Sequence, residues 1–363
     1  MRLSCISLFF LLIVVTIFAC GTDDDGPMQV VEYDDTPYVL SYGTLPDPPL
    51  PTDNALTEQK VLLGRMLFYE PLLSKDGSQA CASCHLQTDG FSDPNRFSLG
   101  VEGLVGNRQA MPVFNLAWHT NAFFWDGRAE LLRDQALLPI QDPLEMNETM
   151  DNVIAKLSAS KQYTDQFIRA FDSAEITADK MGLALEQFML SVVSVESKYD
   201  RWLAGEVELS ESEERGRQLF TTEYNPFFPE FSGADCQHCH SGKNFENDQY
   251  MNNGLDTDAE FTDPGRELVT GDPLDRAKFK VPSLRNIELT APYMHDGRFQ
   301  TLEEVIDHYN AGIKASSTAD PTVENTRETG LFLTEQDKQD LINFLRTFTD
   351  ENLSTNPAYQ SPF

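Results

Sequence analysis

Two pentapeptides of the form Cys-x-x-Cys-His constrain this chain more than any other feature: Cys81-Ala-Ser-Cys84-His85 and Cys236-Gln-His-Cys239-His240. This spacing is the attachment signal for c-type haem. Two thiols add to the two vinyl groups on one edge of a porphyrin, and the adjoining His ligates iron from beneath the ring. Redox-active and zinc-binding Cys pairs compete for the same spacing, but neither needs a His directly after the second Cys, and both copies have one. The remaining cysteines, Cys5 and Cys20, lie near the amino terminus, so the folded part carries no disulfide framework.

The pentapeptides belong to a longer internal repeat. Upstream of each lies Gly-Arg-x-Leu-Phe, at Gly64 to Phe68 and at Gly216 to Phe220. Downstream, Trp125-Asp-Gly-Arg128 is answered by His295-Asp-Gly-Arg298, and each is preceded by a Pro and Asn segment, Pro112 to Asn115 and Pro282 to Asn286. Helical spacing of apolar residues runs over Asn147 to Leu157, Ala178 to Leu203, Leu302 to Asn310 and Thr334 to Thr347, with Thr149, Thr301 and Thr334 as N-caps. Pro- and Gly-rich loops, Thr88 to Asn107 and Asn244 to Pro273, fill the gaps, and no run of alternating strands appears. The pattern predicts an all-α fold of two cytochrome c-like domains in tandem, each with one covalently bound c-type haem: residues 51–205, residues 206–350, and a tail at 351–363.

The first residues combine one Arg, an apolar run from Leu8 to Phe18, and Ala19 before Cys20. That is an export signal, too short for a permanent span. Ile17-Phe18-Ala19-Cys20 also matches a bacterial lipobox, which would cut after residue 19 and lipidate Cys20, leaving 20–50 as a lipidated start and tether. An ordinary export signal cleaved nearby is the alternative. The expected location is the periplasm or cell envelope, with the lipid as the sole membrane attachment. A hydrophobic content of 40% suits globular domains, and a net charge of −31 without Lys and Arg clusters opposes nucleic acid.

With Phe124-Trp125-Asp126-Gly127-Arg128 and Ala291-Pro292-Tyr293-Met294-His295-Asp296-Gly297 added to the paired elements, the chain resembles the bacterial di-haem cytochrome c peroxidases and the related MauG enzymes over roughly residues 50 to 350. The resemblance implies a peroxide-binding haem held by His85, an electron-receiving haem held by His240, and Trp125 between them; a packed core aromatic is the competing reading of Trp125. It further implies that Gln135 and Glu145 lie on the distal side of the first haem. Glu145 is then the candidate acid/base that moves a proton between the two oxygens of hydrogen peroxide, with Gln135 as hydrogen-bonding support.

Two positions depart from the electron-transfer peroxidases. Many of these carry a displaceable His after the first haem motif, whereas this chain reads Phe97-Ser-Leu-Gly100-Val-Glu-Gly103 there and has no His between His85 and His119. This points to a permanently accessible first haem. Fourteen residues after His295, where those enzymes have a Met ligand, stands Tyr309, as in MauG; His308, Met294 and Met251 are rival ligands. The same count from Trp125 gives Pro139, which cannot ligate. A phenolate favours the ferric state, so Tyr309 should lower the second haem's potential relative to Met. Calcium is common in the family, yet its usual Asn falls at Ala110, with Asn107, Asn115 and Thr290 nearby.

The leading expectation is a di-haem peroxidase reducing hydrogen peroxide to water with electrons from a small cytochrome c or cupredoxin. MauG-like oxidation of residues on a partner protein and a non-enzymatic di-haem electron carrier are the alternatives. A homodimer is a candidate assembly.

Overall fold

In a computed structural model that describes residues 30–363, each Gly-Arg-x-Leu-Phe element closes a helix packed face to face against another. The helix Glu58–Phe68 crosses Ala178–Ser191, and Glu211–Thr221 crosses Glu335–Arg346. The glycines permit these crossings. A Cβ on Gly64 would lie 1.9 Å from the Ala184 carbonyl oxygen, and one on Gly216 would lie 2.0 Å from that of Asp340. Both crossings belong to one unit, Glu32–Phe363; Cys20 and the export signal lie outside the described residues.

Two apolar cores result. The first gathers Leu63, Leu67, Phe68, Phe91, Phe188 and their neighbours; the second is built on Phe220, Phe245, Phe344 and Phe348. Leu353 and Tyr359, from the expected tail, belong to the first core. The Tyr69 hydroxyl donates to the Tyr359 carbonyl at 2.7 Å and Arg65 to that of Ala358 at 2.6 Å, so the carboxyl terminus returns to the amino-terminal half. Tyr38, Leu40 and Leu50, from the expected tether, also pack on this core.

Among the described residues the fold is mostly helical, with one two-stranded antiparallel ladder, Tyr250–Met251 on Phe279–Lys280. Thr149, Thr301 and Thr334 cap their helices, each side chain accepting from the backbone N–H three residues on. Two expected helices differ. The run Ala178 to Leu203 is broken: it leaves helix at Val192 and resumes at Lys198–Leu203. The interval stays extended because its polar groups have partners elsewhere. Ser194 N–H donates to Asn115 at 2.8 Å, and Val195 and Glu196 N–H both donate to Asp350 at 3.0 Å. The run from Leu302 is α-helical only to Asp307 and continues as a π-turn, His308–Gly312.

Asn115 and its repeat counterpart Asn286 meet at Ser194. The Asn115 amide donates to the Ser194 carbonyl at 3.0 Å and the Asn286 amide to the Ser194 hydroxyl at 2.9 Å. The two copies of the repeat are thus joined through one buried residue.

Candidate functional site

Each Cys-x-x-Cys-His motif forms a single 3-10 turn, Cys81–Ser83 and Cys236–His238. The four thiols are unpaired, and burial pushes Cys81 and Cys236 up to about 12 and Cys239 up to about 11. Burial therefore keeps these thiols protonated in the absence of a bound group.

The imidazoles are oriented alike. His85 Nδ1 lies 3.0 Å from the Phe91 carbonyl oxygen, and His240 Nδ1 lies 3.2 Å from that of Phe245 and 3.1 Å from that of Pro282. A carbonyl can only accept, so Nδ1 carries the proton and Nε2 keeps its lone pair for iron. Burial lowers both pKa values, His240 to about 4, so both rings are neutral near pH 7. Phe91 and Phe245 adopt left-handed φ values of 57° and 54°, uncommon for Phe, and this conformation belongs to the loop that turns the carbonyl toward the ring. The donor set and its orientation fit a c-type haem at each motif.

A cavity of about 940 Å³ opens beside the first motif, lined by Cys81, Cys84, His85, Trp125, Gln135, Pro139 and Glu145 among others. The residues singled out for the first haem therefore share one space. Glu145 is held by backbone: its N–H donates to the Asp142 carbonyl at 3.0 Å, and its carbonyl accepts from Val101 N–H at 2.9 Å. That second bond requires Gly100, because a Cβ there would lie 2.1 Å from the Leu144 carbonyl oxygen. The loop that lacks a displaceable His is thus packed against the Glu145 segment. Burial, aided by the Asp142 charge and opposed by the Arg128 guanidinium, pushes Glu145 up to about 7. Arg128, read in the sequence only as part of the repeat, stacks 3.5 Å over the Phe124 ring and pairs with Asp126 at 3.1 Å.

Around the second motif, Tyr309 is half-buried on the π-turn and its hydroxyl lies 3.2 Å from the Asn253 amide nitrogen. Burial and the nearby Cys239 and Cys236 thiols push it up to about 12, against the Asn253 hydrogen bond. Asn253 also donates to Met294 Sδ at 3.3 Å, and its carbonyl lies 3.0 Å from His308 Nε2. The His308 Nε2 proton is therefore committed to a carbonyl, while Met251 Sδ lies 3.4 Å from Cys239 Sγ. No sequence signal marked Asn253, whose partners are more than forty residues away.

His119 is buried, its Nε2 lying 3.1 Å from Glu246 Oε2. Burial pushes His119 down to about 4 and Glu246 up to about 8, so both are uncharged near pH 7. Of the oxygens named for calcium, the Asn115 side chain is consumed by Ser194 and Asn244. Among the described residues, no group of three or more His, Cys, Asp or Glu side chains is placed to hold a metal ion.

The family model for di-haem cytochrome c peroxidase matches residues 58–208. The methylamine utilization protein MauG of Methylorubrum extorquens is 38% identical over 307 residues, 84% of this chain and 82% of that relative. The chain belongs to the di-haem cytochrome c peroxidase and MauG family. A cytochrome c551 peroxidase of Nitrosomonas europaea is 39% identical over 248 residues, 68% of this chain and 71% of that one. The crystal structure of a MauG-like protein associated with microbial copper homeostasis superposes with a TM-score of 0.80 at 35% identity, covering 88% of this chain and 97% of that one. As a family member the chain is a haem-dependent oxidoreductase of the peroxidase class, and the electron-carrier alternative is set aside. Among the described residues no helix is long and apolar enough to cross a membrane.

Proposed function

We propose that the chain reduces hydrogen peroxide to water at the haem held by Cys81, Cys84 and His85, with electrons entering through the haem held by Cys236, Cys239 and His240. The observation that carries this reading is the shared cavity: Glu145 and Gln135 face the same space as His85 and Trp125. Each bound haem supplies an iron centre able to take up peroxide or to store an electron. The protein supplies the proton chemistry. Glu145, with a pKa near 7, takes a proton from hydrogen peroxide and returns it to the departing oxygen, and the Gln135 amide orients the peroxide by hydrogen bonding. Two electrons and two further protons complete the conversion to two waters.

Trp125 is the inter-haem relay. Tyr309 would supply the second ligand of the haem held by His240, its place near Cys236 and Cys239 and the engagement of His308 Nε2 by the Asn253 carbonyl supporting it over His308. Residues 51–205 and 206–350 then form the two haem domains. The electron donor is a small cytochrome c or copper protein, and Cys20 attaches the enzyme to the cell envelope through lipid. A second reading, MauG-like oxidation of residues on a partner protein, draws on Tyr309 and on the loop at Gly100 that has no His.

The experiment is steady-state peroxide reduction by the holoprotein with reduced small cytochrome c, comparing wild type with Glu145→Gln. Loss of peroxide turnover with retained haem content supports the reading. Full activity in the variant contradicts it.

A further inference from the structure

Between the helix Glu211–Thr221 and Cys236 the chain bulges outward, and Phe227, Phe228 and Phe231 on this bulge are 85%, 56% and 71% exposed. Single exposed apolar side chains are ordinary, whereas three phenyl rings within five residues form a patch that calls for a partner.

The bulge is braced. Asn225 Oδ1 accepts from the N–H groups of Phe227 and Phe228, both at 3.1 Å, and the Asn225 N–H donates to the Ser232 hydroxyl at 2.9 Å. A 3-10 turn, Pro229–Phe231, is closed by the Ser232 N–H donating to the Pro229 carbonyl at 3.2 Å. Tyr224 stacks on Phe332 with centroids 6.0 Å apart, and its hydroxyl is paired with that of Thr329. The rings are therefore presented on a fixed frame. That frame runs into the second haem motif, since the Ala234 N–H donates to the Leu219 carbonyl at 2.8 Å two residues before Cys236.

Within the segment that carries the patch the formal charge has one sign. From Gln218 to Gly242 there is no Lys or Arg, while Glu223 and Glu230 are exposed and Asp235 is half-buried. Beside Thr329, Arg327 is already paired with Glu324 at 2.7 Å and Glu328 at 3.5 Å.

We propose that Phe227, Phe228 and Phe231 form the apolar centre, and Glu223, Glu230 and Asp235 the anionic rim, of the docking surface for a small, basic electron-carrier protein. This rests on the peroxidase reading, in which electrons enter at the haem of Cys236 and Cys239. A basic ring around an apolar redox face complements the patch in both respects: opposite charge steers the encounter, and aromatic contact holds it. The carboxylates disfavour an anionic lipid surface, which attracts Lys and Arg. They equally disfavour a second copy of this chain, which would bring like charges together.

The test uses the holoprotein and the triple variant Phe227→Ser, Phe228→Ser, Phe231→Ser, checked for wild-type haem content and circular dichroism. Binding of a basic mitochondrial-type ferric cytochrome c is followed by isothermal titration, and peroxide turnover is measured with that cytochrome reduced and, separately, with ascorbate and a phenylenediamine mediator. The expected result is a rise of about tenfold or more in both Kd and KM for the cytochrome, with mediator-driven turnover unchanged. Glu223→Lys with Glu230→Lys should weaken binding likewise, and acetylating the cytochrome's lysines should weaken binding to wild type. Unchanged Kd and KM in the triple variant would overturn the proposal. Flotation of wild type but not the variant with phosphatidylcholine vesicles, at unchanged Kd, would overturn it in favour of lipid. If wild type shows no mediator-driven peroxide turnover, the peroxidase reading falls separately, and the titration still decides whether this surface binds the cytochrome.

Discussion

The indole Nε1 of Trp125 donates to the Gln109 carbonyl oxygen at 2.8 Å, and the Gln109 N–H donates in turn to the carbonyl of His295 at 2.8 Å. Trp125 and His295 are the answering residues of the two repeat copies, so one short hydrogen-bonded path ties the halves together. Lys280 N–H reinforces the tie by donating to the Trp125 carbonyl at 2.7 Å.

Trp125→Phe keeps an aromatic ring in the buried position but removes the indole donor. Haem content and peroxide binding should be retained, while re-reduction of the peroxide-oxidised first site slows by about tenfold or more, equivalent to at least about 1.4 kcal/mol of barrier. Stopped-flow spectroscopy with pre-reduced protein reads this directly. An unchanged rate would reduce Trp125 to a packing residue.

Glu145→Gln should lower the rate of reaction with peroxide by about 10²- to 10⁴-fold, the usual contribution of a positioned general acid–base. In wild type that rate should rise with pH through about 7 as the Glu145 carboxylate forms, and the variant should lose this rise. The stability sign is opposite. Glu145 is raised in the fold, so its contribution is fully present below the ordinary Glu value and is lost as pH rises through about 7; the Gln variant should lack that loss. Rate and stability profiles measured on both proteins check the two signs.

Gly64→Ala and Gly216→Ala should each destabilise by about 1–3 kcal/mol or more, since the new Cβ meets backbone and neither helix can yield cheaply. Denaturant unfolding compares them, and each variant should weaken the core in its own half of the chain.

These glycines also show how much was legible in the sequence. The haem motifs could be read because covalent attachment fixes their spacing, and the caps Thr149, Thr301 and Thr334 because capping is local. The repeat marked Gly64 and Gly216 as equivalent without saying that each faces a backbone carbonyl. The break at Val192 was hidden, because its apolar neighbours continue a helical spacing while the bonds that hold it extended come from Asn115 and Asp350, far away in sequence. Asn253 and Gln109 were missed for the same reason: their roles exist only once distant segments meet. Glu145 and Gln135 were singled out through family resemblance, since composition alone reads them as surface polar residues; the structure adds that both line the cavity beside His85.

Tyr309→Met should make the reduction potential of the second haem more positive, because a neutral thioether stabilises ferric iron less than an anionic phenolate does. Spectroelectrochemical titration measures it. An unchanged potential would remove Tyr309 from the ligand set and return Met251 and Met294 to consideration.

Electron paramagnetic resonance of the oxidised holoprotein, followed by stoichiometric peroxide and then reduced small cytochrome c, tests the central claim most directly. The predicted result is a high-spin ferric signal from the first haem beside a low-spin signal from the second, with peroxide consumed and the cytochrome oxidised. Two low-spin haems indifferent to peroxide would contradict it.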